Sequence, residues 1–255
     1  VSRRRDGEPG AIRIGTSGWH YPHWRGPFYP PALAREQWLA HYATRFDCVE
    51  VNASFYRLPE PGAIARWCAA VPEGFLFAVK APRAITHLKK LKGCEQALQE
   101  LLARLALFGD HLGPLLFQLP PRWRVNLHRL EAFLAALPAE GRFVLEFREP
   151  SWHCPEVRAA LAAAGVSWCL ADPPVEAAPG DQEPCGPCAY LRLHGPRQRY
   201  RGSYRSETLR AWAGRLRGWS RKGLESYCFL DNDERAHAPR NAAQLRRLLA
   251  EHGSE

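Results

Sequence analysis

The chain contains no methionine, only five lysines among 35 basic residues, and no apolar stretch approaching membrane-spanning length. Crossing a bilayer as a helix takes about 20 consecutive apolar residues, so no spanning segment or membrane partner is expected. The opening residues also lack the combination of a basic start, an apolar stretch and a small-residue cleavage site that marks a secretory leader. Arg3, Arg4 and Arg5 are therefore read as part of a disordered basic tail over residues 1–10, and the expected compartment is the cytoplasm. No linker-like composition interrupts the 255 residues, which suits one domain spanning residues 11–252.

The formal charge of +9 rests on arginine. Positive charge steers anionic ligands, but enrichment in Ala, Arg and Pro without Met is also the composition of a GC-rich genome. Arginines on helix-like stretches such as Leu209 to Arg221 favour the compositional cause, so charge alone does not establish a nucleic-acid partner. Of the eight cysteines, Cys48, Cys169 and Cys228 sit in apolar runs and read as small buried hydrophobes. Cys185-Gly-Pro-Cys188 spells a dithiol motif that elsewhere opens a helix whose N-terminus lowers a thiol's pKa. Here it leads directly into an apolar run at Ala189, and no second ligand pair at zinc spacing accompanies it, so neither redox chemistry nor zinc is expected.

Eight short apolar runs carry the main signal: Ile12 to Thr16, Cys48 to Asn52, Phe75 to Lys80, Leu115 to Gln118, Phe143 to Arg148, Ser167 to Asp172, Ala189 to His194 and Tyr227 to Asn232. Each ends in a polar or ionisable residue. Seven are followed by residues with a helical period or helix-start signal, at 33–46, 61–67, 96–108, 127–137, 155–164, 206–221 and 239–251. After the sixth run, residues 172–187 hold five prolines and no period, so a loop is expected to replace the sixth helix. Eight strands, seven of them followed by a helix, predict an α/β fold, a single (β/α)8 TIM-type barrel with an irregular loop replacing the sixth helix. The C-terminal strand ends of such a barrel meet at one mouth, where active sites of this fold lie.

Strand side chains alternate between faces. Val49 and Val51 then face the helices while Cys48, Glu50 and Asn52 face inward; Lys80 shares a face with Leu76 and Ala78, Val144 with Glu146 and Arg148, and Tyr190 with Arg192 and His194. Arg13 and Arg192 fall below the strand ends, where ion pairing inside the barrel is the expected role.

Several motifs resemble the YecE-like proteins, also called domain of unknown function 72. They are Gly15-Thr-Ser-Gly-Trp-His-Tyr21 with Trp24, Glu50-Val-Asn-Ala-Ser-Phe-Tyr56, Phe77-Ala-Val-Lys80 with Thr86-His87, Phe117-Gln-Leu-Pro-Pro121, Glu146-Phe-Arg-Glu-Pro-Ser-Trp152, Arg192-Leu-His-Gly195 and Ala238-Pro-Arg-Asn-Ala242. The resemblance runs from about Ile12 to Leu249 and implies a TIM-like barrel related in fold to sugar isomerases, with no activity to carry over. Where that family commonly has two asparagines before an aspartate, this chain has Asp231-Asn232-Asp233, which leaves Asp231 outside the candidate set.

Run ends and motifs together nominate Glu50, Lys80, Glu146, Arg148 and His194 as catalytic. Trp19, Tyr21, Trp24, Asn52, Tyr56, Thr86, His87, Gln118, Trp152, Arg199, Tyr204 and Asn232 are nominated as substrate-binding. The aromatic residues of the first loop offer stacking surfaces or, equally, a hydrophobic plug. The basic segments Thr86 to Lys92 and Gly195 to Arg205 suit an anionic group. The expected function is acid-base catalysis on a small anionic or polyhydroxylated substrate such as a sugar or sugar phosphate. Glu50 or Glu146 is the base, His194 an acid or proton shuttle, and Lys80 and Arg148 stabilise negative charge. Lys80 as a Schiff-base nucleophile requires a lowered pKa. A divalent metal held by Glu50, Glu146, Asp172, His194 and Asp231 is disfavoured by the cations Lys80 and Arg148 beside it. The rival reading is a nucleic-acid binder whose Trp19, Trp24, Tyr200 and Tyr204 stack bases.

Overall fold

The computed structural model describes residues 8–172, 183–196 and 199–251. Its eight strands are β1 (Ile12–Thr16), β2 (Cys48–Val51), β3 (Leu76–Lys80), β4 (Leu112–Gln118), β5 (Phe143–Glu146), β6 (Ser167–Asp172), β7 (Cys188–Leu193) and β8 (Glu225–Leu230). They pair in parallel in the order β1-β8-β7-β6-β5-β4-β3-β2. The described α-helices are α1 (Trp38–Ala43), α2 (Pro61–Ala69), α3 (Glu95–Leu105), α4 (Leu127–Ala135), α5 (Pro155–Ala163), α6 (Ser206–Arg221) and α7 (His237–Ala250). The expected (β/α)8 architecture is therefore observed. Among the described residues no helix is long and apolar enough to cross a membrane.

Closure of the barrel depends on β1 and β2, which touch through a parallel bridge between Ser17 and Glu50. Gly15 permits the approach: a Cβ there would lie 2.2 Å from the Cys48 carbonyl oxygen. Tyr42 of α1 inserts its hydroxyl between the two strands, accepting from Thr16 N–H (2.9 Å) and donating to the Cys48 carbonyl (3.1 Å). A side chain thus satisfies backbone groups that a regular ladder would have paired.

The predicted alternation places Cys48, Leu76, Ala78, Leu116, Val144, Cys169, Tyr190, Tyr227 and Phe229 together inside the barrel. Outward residues such as Phe77, Val79, Phe117 and Leu145 pack in the layer shared with the helices. Arg13 lies at the lower end, where it and Arg142 pair with Glu225 (3.6 and 3.4 Å).

Several boundaries differ from the sequence reading. The stretch expected as a helix over 33–46 starts extended at Ala34, makes a 3-10 turn over Arg35–Gln37 and becomes α-helical at Trp38. Strand β4 starts at Leu112 rather than Leu115, and its Gly113-Pro114 is accommodated by a register shift between Phe77 and Val79 of β3. Proline enters sheets at such irregularities because it cannot donate to the ladder. Residues 183–187 run into β7 without a helix; the remainder of the loop expected in place of the sixth helix, 173–182, lies outside the described residues, as do Arg3, Arg4 and Arg5. Gly10 is buried, donating its N–H to the Ser220 carbonyl and accepting from Ser220 Oγ.

Candidate active site

Alternation along β7 directs Arg192 upward inside the barrel, one layer above Tyr190. Its guanidinium is fully enclosed by three carboxylates. Nε and Nη2 bind Glu50 Oε2 and Oε1 (3.1 and 2.7 Å), Nη1 binds Glu146 Oε2 (2.9 Å), and Nη2 also reaches Asp231 Oδ2 (3.2 Å). Burial disfavours the charge on Arg192, but the carboxylates outweigh it and raise its pKa. Such a lattice is costly to desolvate and holds only when every lone pair and N–H is matched.

The remaining partners supply that matching. Glu50 also accepts from Ser17 Oγ (2.8 Å) and the Tyr190 hydroxyl (2.6 Å), so both its oxygens are engaged twice. Glu146 accepts from Gln118 Nε2 (2.9 Å) and, on its other oxygen, from Arg148 Nε (2.7 Å). Burial pushes the Glu146 carboxyl up, yet Arg148, Arg192 and His194 together hold it well below the usual carboxylate range.

His194 closes the array at the C-terminal end of β7. Its Nδ1 lies 3.0 Å from Asp231 Oδ2, which fixes the ring, and its Nε2 lies 3.6 Å from Glu146 Oε1, beyond hydrogen-bond length. Among the described residues Nε2 has no hydrogen-bond partner. Tyr200 donates its backbone N–H to the His194 carbonyl and sets its ring edge-on at 5.9 Å from the imidazole.

Lys80 ends β3 with its ammonium over the Phe55 ring, 4.3 Å from the centroid. Burial, reinforced by Arg192 and Arg148 and opposed by Glu146 and Glu50, lowers its pKa to about 8. Beyond it, Ala84–Leu88 forms a wide turn in which Lys89 N–H reaches back five residues to the Ala84 carbonyl. That geometry recurs at functional sites. The turn carries Thr86 and His87, joined through Oγ1 and Nδ1 at 2.9 Å. Burial first, then Lys80, Arg148 and Arg83, bring His87 down to about 4. Asn52, just past β2, buries an Oδ1 that has no partner among the described residues.

Glu50, Lys80, Glu146, Arg148, His194, Gln118, Asn52, Thr86 and His87 are thus gathered at or just below the mouth. The other nominated residues do different things. Trp19 packs outside the barrel wall, edge-on to Trp67 (5.1 Å) and against Phe77. Trp24 is buried and donates Nε1 to the Asp233 carbonyl, tying the first loop to the loop after β8. Trp152 is buried on Phe147 and donates to the Trp123 carbonyl. Tyr21 donates its hydroxyl to the Ser17 carbonyl (2.6 Å), and Tyr204 binds Gly195 N–H and the Asp172 carbonyl. Asn232 donates to the Gly202 carbonyl and to Asn241 Oδ1, positioning the loop before α6. Tyr56 and Arg199 are exposed. The first loop is thereby a plug-like aromatic cluster, with Tyr29 stacked on Trp38 at 4.6 Å.

Sequence reasoning passed over Asp231, Ser17 and Phe55. Alternation along β8 from Tyr227 and Phe229 to Asp231 is the signal that finds the first of these. Asp172, also outside the nominated set, has its carboxyl pushed up by burial. Burial raises the thiols of Cys185 and Cys188, the latter to about 11, the opposite of what a redox dithiol requires. Among the described residues no group of three or more His, Cys, Asp or Glu is arranged to hold a metal ion.

Comparison with known proteins agrees with this architecture. The UPF0759 protein YecE of Escherichia coli strain K12 is 29% identical over 268 residues, covering 95% of this chain and 96% of its own length. YunF of Bacillus subtilis, a UPF0759 protein, is 29% identical over 152 residues, covering 56% of this chain and 53% of its own. The crystal structure of a DUF72 family protein from Thermotoga maritima superposes with a TM-score of 0.84 at 26% identity, covering 94% of this chain and 99% of that one. The family model described as "Protein of unknown function DUF72" matches residues 13–255, and the chain belongs to that family.

Proposed function

We propose that the protein is an enzyme that moves a proton on a small anionic or polyhydroxylated substrate, such as a sugar or sugar phosphate, at the C-terminal mouth of its barrel. The observation that carries this reading is His194, held through Nδ1 by Asp231, whose buried Nε2 has no hydrogen-bond partner among the described residues. An imidazole anchored on one nitrogen by a carboxylate is oriented for general acid-base catalysis by the other. The proton-transfer role therefore moves to His194 from Glu50, whose oxygens are fully occupied, and from Glu146, whose lowered pKa makes it a weak base. Arg148 and Lys80 supply positive charge for an anionic substrate group. Asn52 Oδ1 is available to orient a hydroxyl.

The proposal uses no divalent metal. Glu50, Glu146 and Asp231 converge on the guanidinium of Arg192, and an ion at that point would have to displace it. The nucleic-acid reading loses its stacking platform, because Trp19, Trp24 and Tyr204 are buried and of the four rings only Tyr200 is exposed.

The test is proton NMR in D2O on a panel of aldoses, ketoses and their phosphate esters. Deuterium incorporated next to the carbonyl of at least one compound, dependent on the protein, is the expected result. No incorporation across the panel contradicts the proposal.

A further inference from the structure

We propose that Lys80 is a nucleophile, and that the substrate class is a small aldehyde or ketone with which its side-chain nitrogen condenses to form an imine. This rests on the acid-base reading of the mouth and names the substrate chemistry of that same site.

The geometry singles out Lys80 among its neighbours. Glu50, Glu146, Asp231, Arg148 and Arg192 each hold at least one ion pair of 3.2 Å or less. Lys80 Nζ makes no hydrogen bond or ion pair among the described residues; its contact is the apolar face of Phe55. Ser54 Oγ anchors the backbone beneath it by donating to the Lys80 carbonyl (2.7 Å). The two carboxylates within electrostatic reach, Glu146 and Glu50, are already taken by other donors.

The surroundings raise the share of neutral amine. Burial and the two guanidiniums bring Lys80 from the ordinary 10.5 to about 8. Near pH 7 about one molecule in ten then carries the free amine, against roughly three in ten thousand for an ordinary lysine. His87 shares the Phe55 ring, 4.9 Å from its own, and with its pKa near 4 is neutral at that pH, so it adds no charge beside the amine.

The step balances without an oxidant or reductant. The amine lone pair attacks the carbonyl carbon, a proton passes from nitrogen to oxygen to give a carbinolamine, and the C–O bond then breaks as the oxygen takes a second proton and leaves as water. The product is a protonated imine, whose positive charge lies within electrostatic reach of Glu146 and Glu50. It withdraws electrons from the adjacent carbon, so His194 can remove a proton there.

Borohydride trapping tests this on the 255-residue chain. The protein is incubated with glyceraldehyde 3-phosphate near neutral pH, reduced, digested and mapped by mass spectrometry. The expected result is an adduct at Lys80 about tenfold or more above that at exposed Lys222, with K80R and K80Q losing it while Lys222 labels as before. Equal labelling at Lys80 and Lys222 overturns the proposal. The two readings fail separately. Deuterium exchange retained by K80R and K80Q sinks the imine and spares the acid-base site, whereas trapping at Lys80 without exchange on any carbonyl probe does the reverse.

Discussion

Arg192 is the residue on which the interior of the mouth depends, since one guanidinium neutralises carboxylates from β2, from β5 and from the end of β8. R192M leaves those carboxylates buried against one another and is expected to cost about 3–5 kcal/mol in urea unfolding. R192K keeps the charge but not the planar fork, and its loss is expected to fall between wild type and R192M. Glu146 gives the site a pH signature. Its folded pKa is depressed below the ordinary 4.5, so the stability it contributes is complete above that value and is lost as pH falls through the depressed one. Urea midpoints measured from neutral to acid pH should decline for the wild type, and E146Q should decline less steeply. Equal slopes would show that Glu146 is not held low.

Among the elements, the seam between β1 and β2 is the point of least tolerance. G15A would drive a methyl group into the Cys48 carbonyl, and a loss of about 1–3 kcal/mol is expected from the forced separation of the strands. Y42F removes the hydroxyl that serves Thr16 N–H and the Cys48 carbonyl, at an expected cost of about 1–3 kcal/mol for buried groups left unpaired. Thermal or urea unfolding of both variants measures this. The strands around the seam were legible in the chain because period-two alternation is a local signal: it placed Glu50, Lys80, Glu146 and His194 on inward faces before any contact was known. Where a strand begins with Gly113-Pro114, that signal is broken and the start of β4 was hidden. Loops carry no period, so the aromatic richness of residues 19–29 was plain while the direction of each ring was not. Trp19 packs on Trp67 of α2 and Phe77 of β3, and Trp24 on Tyr21, Phe28 and Tyr29 with its Nε1 on the Asp233 carbonyl.

For the whole molecule, the two ends of the barrel have different electrostatics. The lower end pairs Arg13 and Arg142 with Glu225 at partly exposed positions, where ion pairs contribute little. The upper end encloses its charges, leaves Lys80 without an acidic partner among the described residues, and sets His194 against two carboxylates. Membership of the DUF72 family and the (β/α)8 architecture followed from motifs distributed over most of the chain. The reaction did not, because barrels of this kind host many chemistries and only the convergence of side chains distinguishes them. Within that convergence His194 is the proposed reacting member. The most direct measurement is the rate of deuterium incorporation into a carbonyl probe by H194N relative to wild type, with both proteins folded by circular dichroism. The account predicts a loss of about 100-fold or more; a rate within about twofold of wild type would contradict it.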